Sequence, residues 1–308
     1  MQFHFAPLQG YTDYDYRNAH ATVYGPADTY YTPFVRLEKG REFRPKDLKD
    51  ISPDNNHVPH IVPQLIAGTH DEAATIIDMM HDMGYHEIDI NMGCPHRLMV
   101  IKGKGAAILA QPARVADVLR VTDEYPDITF TLKMRTGMDS HDECLALAPV
   151  INAHRLAHVT VHPRTGRQQY TGRADRNAFA RFASACDKPL VYNGDIATCA
   201  DIDAVIARFP QLAGIMIGRG LLANPALISE WKTGTEPDPK ARRTALRKFH
   251  GTLLAAYRER MQGEAQILAH LKPHWEYLYP ELDKHLRKQI TKAGRLTAYI
   301  RAVEEALR

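Results

Sequence analysis

Cysteine is sparse in this chain: four residues, at 94, 144, 186 and 199, with no CxxC pair among them. Neither a disulfide framework nor a zinc site is expected, and the thiols read as reduced. No apolar run approaches the length that crosses a bilayer, and MQFHFAPLQG lacks a basic segment followed by an apolar one. The expected setting is the cytoplasm, without membrane or metal. Long polar tracts are missing too. Hydrophobic residues make up 44% and charged residues 24% of the 308, the proportions of an ordinary globular protein, which argues against disorder. Net charge is small, +3, but unevenly placed: residues 240–308 hold 15 Lys/Arg against 7 Asp/Glu, which leaves the rest of the chain acidic. A basic terminal segment suits a polyanionic partner, because clustered Lys and Arg release counterions from phosphates.

What is present is alternation. Short β-branched or aromatic runs recur at 3–7 (FHFAP), 29–35 (TYYTPFV), 60–66 (HIVPQLI), 86–91 (HEIDIN), 128–135 (ITFTLKMR), 157–164 (AHVTVHPR), 189–195 (PLVYNGD) and 213–219 (AGIMIGR). Each is short enough to be a buried parallel strand. Segments between them carry apolar residues at helical spacing. Residues 70–84 end on Gly84, 112–124 open with Pro112 and 198–208 open with Thr198, residue types that mark helix boundaries. Strand and helix in alternation require crossover connections and a parallel sheet. Eight strands close a (β/α)8 TIM barrel, and polar or glycine residues at every strand end favour it over an open sheet with one switch point. The stretch KTGTEPDPK then breaks the pattern. It divides a barrel over residues 1–235 from a small bundle of three or four amphipathic helices over 236–308.

In such a barrel the C-terminal strand ends face the active site. They carry Pro7, Gln64, Asn91, Cys94, Lys133, Arg135, His162, Arg164, Asn193, Asp195, Gly218 and Arg219. YNGDI and IGRG, on the last two strands, combine Asn193, Gly194 and Asp195 with Gly218 and Arg219. Barrels build phosphate sites there from backbone N–H groups and an arginine. Lys133 ends the alternating run TFTLK, so its ammonium points into the mouth and needs an acceptor; a reduced flavin gathers charge at N1/O2 and supplies one. His162 stands on the neighbouring strand as a further cofactor contact. Gln64 has the donor and acceptor that a flavin's imide edge requires.

Cys94 is the sharpest feature. It follows a strand directly, between Gly93 and Pro95, and opens the Gly- and Lys-rich loop MVIKGKG. Cys144, Cys186 and Cys199 read as packing thiols. No dedicated general base accompanies Cys94 for acyl transfer, so it reads as an acid. Reduction of a conjugated C=C bond needs hydride on one carbon and a proton on its neighbour, and flavin and thiol provide one each.

These residues fall within motifs that resemble the tRNA-dihydrouridine synthase family: APLQGYTD (6–13), QLIAG (64–68), NMGCPHRLMVIKGKGAAIL (91–109), KMRTG (133–137), HPRTGRQQYTGRAD (162–175), NGDI (193–196) and IGRG (217–220). They occur in the family's order over nearly the whole chain. The resemblance implies an FMN-binding barrel, a helical tRNA-binding domain, and reduction of the uracil C5=C6 bond with NADPH or NADH as reductant. It makes Cys94 the acid that protonates C5 while reduced FMN gives hydride to C6, and Asn91 the residue that holds the base. Pro7, Gln64, Lys133, His162, Asn193, Gly194, Asp195, Gly218 and Arg219 match flavin-contacting positions. Arg135, Arg164, Tyr170 and Arg176 match positions near the base or its backbone. The run HLKPHWEYLYPELDKHLRKQITKA (270–293) resembles the bacterial subgroup acting on the tRNA D-loop, with the position-16 type as candidate. Lys272, Arg287, Lys288 and Arg295 are the candidate phosphate contacts.

Leu8-Gln9, Met99 and Pro163 depart from the family's usual residues, which bears on fine positioning. A monomer is expected. Two other classes stay open: a small-molecule flavin reductase of the dihydroorotate-dehydrogenase or enoate-reductase type, which would not need the basic bundle, and a non-catalytic RNA-binding protein, in which Cys94 would be dispensable.

Overall fold

The computed structural model describes residues 1–38 and 42–308. Its sheet holds nine parallel strands: β1 (Gln2–Phe5), β2 (Thr29–Tyr31), β3 (Ile61–Val62), β4 (Gln64–Leu65), β5 (Glu87–Met92), β6 (Thr129–Gly137), β7 (His158–Thr165), β8 (Leu190–Asn193) and β9 (Gly214–Ile217). Their order is β3-β2-β1-β9-β8-β7-β6-β5-β4. Because β3 and β4 are joined only by Pro63, the two ends of the sheet meet and the barrel closes. The run 60–66, expected as one strand, splits there because proline has no N–H for the ladder. Its carbonyl accepts from the Asp89 N–H at 2.9 Å instead. The second run also stops early, at Tyr31, ahead of Pro33, and Val35 rejoins through a bridge to Leu65.

Helices cover the outside. His70–Asp82 is capped by the Thr69 hydroxyl, and Gly84 adopts φ 89° just beyond it. Cys199–Arg208 starts with a reciprocal pair, in which Thr198 and Asp201 side chains each accept the other's backbone N–H. The helical run 112–124 breaks at Arg120 into Pro112–Leu119 and Val121–Glu124. Period-two alternation sorts the strand side chains. On β6, Phe130, Leu132 and Met134 join the main apolar core under the helices. Thr131 and Lys133 face the barrel axis, where they bond to Asp89 and Asn193. The interior thus combines a small apolar cluster of Ala6, Tyr31, Val62, Val191 and Met216 with polar side chains.

After Gly234, in the left-handed conformation at φ 65°, come helices Pro239–Arg260, Glu264–His274, Lys284–Lys292 and Leu296–Ala306. The first lies against helix Tyr14–Tyr24. Phe249 meets Tyr16 edge-on at 5.1 Å, and His274 stacks on Tyr16 at 4.8 Å. Arg260 pairs with Asp13 at 2.7 Å and Asp15 at 2.8 Å. Leu246, Phe249, Leu253 and Tyr257 belong to the same continuous apolar core as the barrel's outer layer. The helical part is built onto the barrel, not merely tethered by the 234–238 segment. Among the described residues no helix is long and apolar enough to cross a membrane.

Candidate active site at the barrel mouth

Cys94 is held from below by side chains that rise through the barrel. Asn91, near the end of β5, accepts the backbone N–H groups of Gly93 at 3.0 Å and Cys94 at 2.9 Å. Its amide N–H donates to Gln64 Oε1 at 2.7 Å, and Gln64 Nε2 donates to Asp89 Oδ2 at 2.6 Å. The Thr131 hydroxyl donates to the other Asp89 oxygen at 2.6 Å. Burial lifts the Asp89 carboxyl to about 6, against the pull of the Thr131 and Gln64 bonds. Arg135 closes the far side: Nε donates to Gly93 O at 3.0 Å, and Nη1 donates to Thr165 O at 2.8 Å and Gln169 O at 2.7 Å. One guanidinium therefore ties the cysteine turn to the loop after β7. Burial raises the Cys94 thiol above its ordinary value, outweighing the His96 N–H and the nearby cations, so it keeps its proton at neutral pH.

The loop after the cysteine folds back over it. Ala106 N–H donates to Cys94 O at 2.9 Å. Gly105 has φ 60°, and a Cβ there would lie 2.5 Å from that same oxygen. Met99 packs with Phe34, Ile66 and Cys94 beneath the loop. Lys104 is buried and pairs with Glu72, which also accepts the Gly68 N–H at 2.8 Å.

Beside this turn opens a cleft of about 410 Å3. Pro7, Lys133, His162, Asn193, Gly194, Asp195, Gly218 and Arg219 line it, with Tyr277 from the helical part. Lys133 Nζ donates to Asn193 Oδ1 at 2.9 Å, and Asn193 Nδ2 donates to Met216 O at 2.8 Å. Burial, with Arg135 nearby, lowers the Lys133 ammonium to about 8. His162 is pushed well below its ordinary value by burial first, then by Arg135, Lys133, Arg164 and Arg219. It is therefore neutral. Arg164 Nη1 lies 2.9 Å from His162 Nε2. A guanidinium cannot accept, so Nε2 carries the lone pair and Nδ1 the proton.

Arg164 Nη2 also grips both oxygens of Asp195, at 2.8 and 2.7 Å, and the Ala174 N–H adds a bond at 2.7 Å. Burial works to raise this carboxyl, but these bonds and the nearby arginines hold it below its ordinary value. Asp195 takes φ 46°, which turns the chain sharply after β8. Arg219 sits 3.5 Å from Asp195 and 4.4 Å from the centre of the Tyr170 ring.

The predicted residues divide by position. Gln64 and Asn91 lie deeper than the cleft, bonded to each other. Arg135 and Arg164, 1% and 2% exposed, direct donors to their own chain. Arg176 lies in an adjoining cleft with Arg173 and Arg208, beside Tyr192. In the helical part, Lys272 donates to Ala293 O at 3.0 Å, and Arg287 donates to the carbonyls of Trp275, Leu278 and Tyr279. Lys288 and Arg295 face solvent. Asp89, Glu72, Lys104 and Tyr277 were not anticipated. Alternation along HEIDIN marks Asp89 as inward, between Glu87 and Asn91, whereas no local pattern marks Tyr277. Among the described residues no group of three His, Cys, Asp or Glu could hold a metal ion.

Fold and site together define a (β/α)8-barrel protein with a cation-lined cleft and a protonated thiol at its C-terminal mouth. The dihydrouridine synthase (Dus) family pattern matches residues 4–307. The chain belongs to that family. It is 31% identical over 217 residues to a probable tRNA-dihydrouridine synthase of Rhizobium leguminosarum bv. phaseoli, covering 70% of this chain and 66% of the relative. It is 32% identical over 169 residues to tRNA-dihydrouridine synthase B of Pasteurella multocida, covering 54% and 51%. The chain thus spans less than two thirds of the length of these relatives. Among solved structures it is similar to histamine dehydrogenase from Rhizobium sp. 4-9 (TM-score 0.56, 12% identity, 82% of this chain and 49% of the other). It is also similar to the old yellow enzyme from Trypanosoma cruzi (TM-score 0.54, 12% identity, 79% and 92%). At that identity the likeness shows the barrel alone.

Proposed function

We propose that this protein is a tRNA-dihydrouridine synthase that uses FMN and a nicotinamide reductant, NADPH or NADH, to reduce the C5=C6 bond of a uridine in the tRNA D-loop. The observation that carries the reading is the placement of Cys94: a protonated thiol, fixed by Asn91 and Arg135, beside a cleft of cations in a chain of this family. The donor set fits FMN. Lys133 and Arg219 offer positive charge, the neutral His162 offers Nδ1–H, and Asn193, Gly194 and Gly218 bring backbone close to an anionic ligand. When bound, the reduced flavin supplies hydride to uracil C6. Cys94 then delivers its proton to C5, and the thiolate regains a proton from solvent, so two electrons and two hydrogens enter the base. Burial suits the thiol to the role of acid, because it resists losing the proton before hydride arrives.

The base must leave its stack to reach this mouth. In this proposal residues 1–235 carry the chemistry and residues 236–308 the grip on tRNA, with Lys288 and Arg295 as its exposed cations and with the protein acting as a cytoplasmic monomer. Lys272 and Arg287 shape that region through their bonds to its carbonyls. The test is nucleoside analysis of unmodified tRNA after incubation with protein, FMN and NADPH. Dihydrouridine mapped to the D-loop supports the proposal. Cys94→Ala should bind flavin and tRNA yet turn over about 10²–10⁴-fold more slowly. Near-normal turnover would reject the acid assignment. A yellow protein that makes no dihydrouridine would point to a small-molecule reductase.

A further inference from the structure

Large apolar or aromatic side chains left in water are few among the described residues: Met1, Leu98, Ile101 and Tyr170. Three of them sit in the segments that follow strands β5 and β7 at the barrel mouth. Leu98 is 55% and Ile101 69% exposed, on the short helix Arg97–Ile101 that starts three residues after Cys94. At i and i+3 they share one face. Met99 between them is buried against Phe34 and Ile66 and holds the helix down. The fold gains nothing from Leu98 and Ile101, since polar residues would serve an exposed face as well. Cations flank the pair: Arg97 and Lys102 are both exposed, the latter 3.8 Å from Glu38.

We infer that Leu98 and Ile101 form an apolar contact for the unpaired nucleotides beside the uridine that enters the mouth, with Arg97 and Lys102 against their phosphates. This rests on the proposed function. Extruding one base strips its neighbours of a stacking partner, and an apolar side chain against the bared base face replaces part of what is lost. Apolar and cationic groups side by side match single-stranded nucleic acid, whose bases and phosphates alternate at the same scale. Tyr170, on the loop after β7 that Arg135 ties to the cysteine turn, lies against Arg219 and repeats the pairing of ring and cation.

The test is binding of unmodified tRNA to the full-length holoprotein, measured by fluorescence anisotropy over a range of salt concentrations. Leu98→Ser/Ile101→Ser should weaken Kd about tenfold while leaving the slope of log Kd against log salt unchanged, because no phosphate contact is lost. Leu98→Met/Ile101→Val should restore binding. Arg97→Ala/Lys102→Ala should instead lower the salt slope. Melting temperature and flavin absorbance report whether each variant is folded. Unchanged affinity in the serine variant, or a loss that follows the salt slope, would overturn the inference. So would a wild-type dimer that the serine pair dissolves, since the face would then belong to a second copy. Wild-type protein that makes no dihydrouridine rejects the proposed function; wild type that does, with an equally tight serine variant, rejects only this contact.

Discussion

Buried histidines make this molecule sensitive to acid. Burial is the leading cause that lowers His4 to about 3, and His20, His158 and His250 to about 4. His4 and His158 face each other at 5.4 Å near the barrel floor, and after burial it is His158 that most makes His4 resist a proton. The unfolded chain takes up these protons near pH 6.5, and the folded chain does not. Stability is therefore intact above pH 6.5 and falls as pH drops towards 4, by about 1.4 kcal/mol per pH unit for each histidine. Asp15 and Asp89, raised to about 6 mainly by burial, act in the opposite sense between pH 6 and 4, because there the folded state binds the proton first. His162 and His274, also lowered by burial, and Asp195, held low by its bonds, add to the loss, while Asp47, Asp50, His60 and His70, all raised, oppose it; the large shifts of the buried histidines leave a net loss. The melting temperature should fall between pH 7 and pH 5, and His158→Gln should flatten that dependence; an unaltered pH profile would place the sensitivity elsewhere. Inward positions such as His158, Asp89 and Lys133 are legible from strand alternation, but their partners are not, since each pair joins different strands.

At the scale of one element, the loop from Cys94 to Ala110 is held at several points, by the Ala106 N–H on Cys94 O, by Lys104 on Glu72 and by Met99 on Phe34. Gly105 is needed twice, for its positive φ and for its approach to Cys94 O. Gly105→Ala should therefore displace the cysteine turn. The left-handed conformation alone costs an alanine about 1–2 kcal/mol. Turnover should fall at least tenfold while flavin absorbance persists, and kinetics on unmodified tRNA would show it; wild-type turnover would mean that the loop tolerates a Cβ. The sequence marks this segment as a Gly- and Lys-rich loop. That the loop is pinned, by Lys104 on Glu72 and by Met99 on Phe34, depends on residues from two other strand–helix connections.

At the scale of the whole molecule, the helical part completes the barrel. Tyr277 lines the cofactor-sized cleft, and Phe249, Leu253, Tyr257 and His274 cover the apolar face of Tyr14–Tyr24. Deleting residues 240–308 would bare Tyr16 and its neighbours to water. The truncated protein should melt at least 10 °C lower or fail to stay soluble, about what several unburied large side chains imply. A soluble fragment with the full-length melting temperature and flavin affinity would show that the two parts fold independently.

Local signals by themselves determined the eight strand-bearing runs, the helix cap at Thr198, the parallel barrel and the ring of polar strand ends, because periodicity and capping act within a few residues of chain. The family motifs added the roles to be tested. Tertiary structure alone decided the closure at Pro63, the Asp89–Gln64–Asn91 support under Cys94, the use of Arg135 and Arg164 as internal ties, and the entry of Tyr277 into the cleft. Each of these joins residues far apart in sequence, and only the closed barrel with its packed helices sets the distances between them.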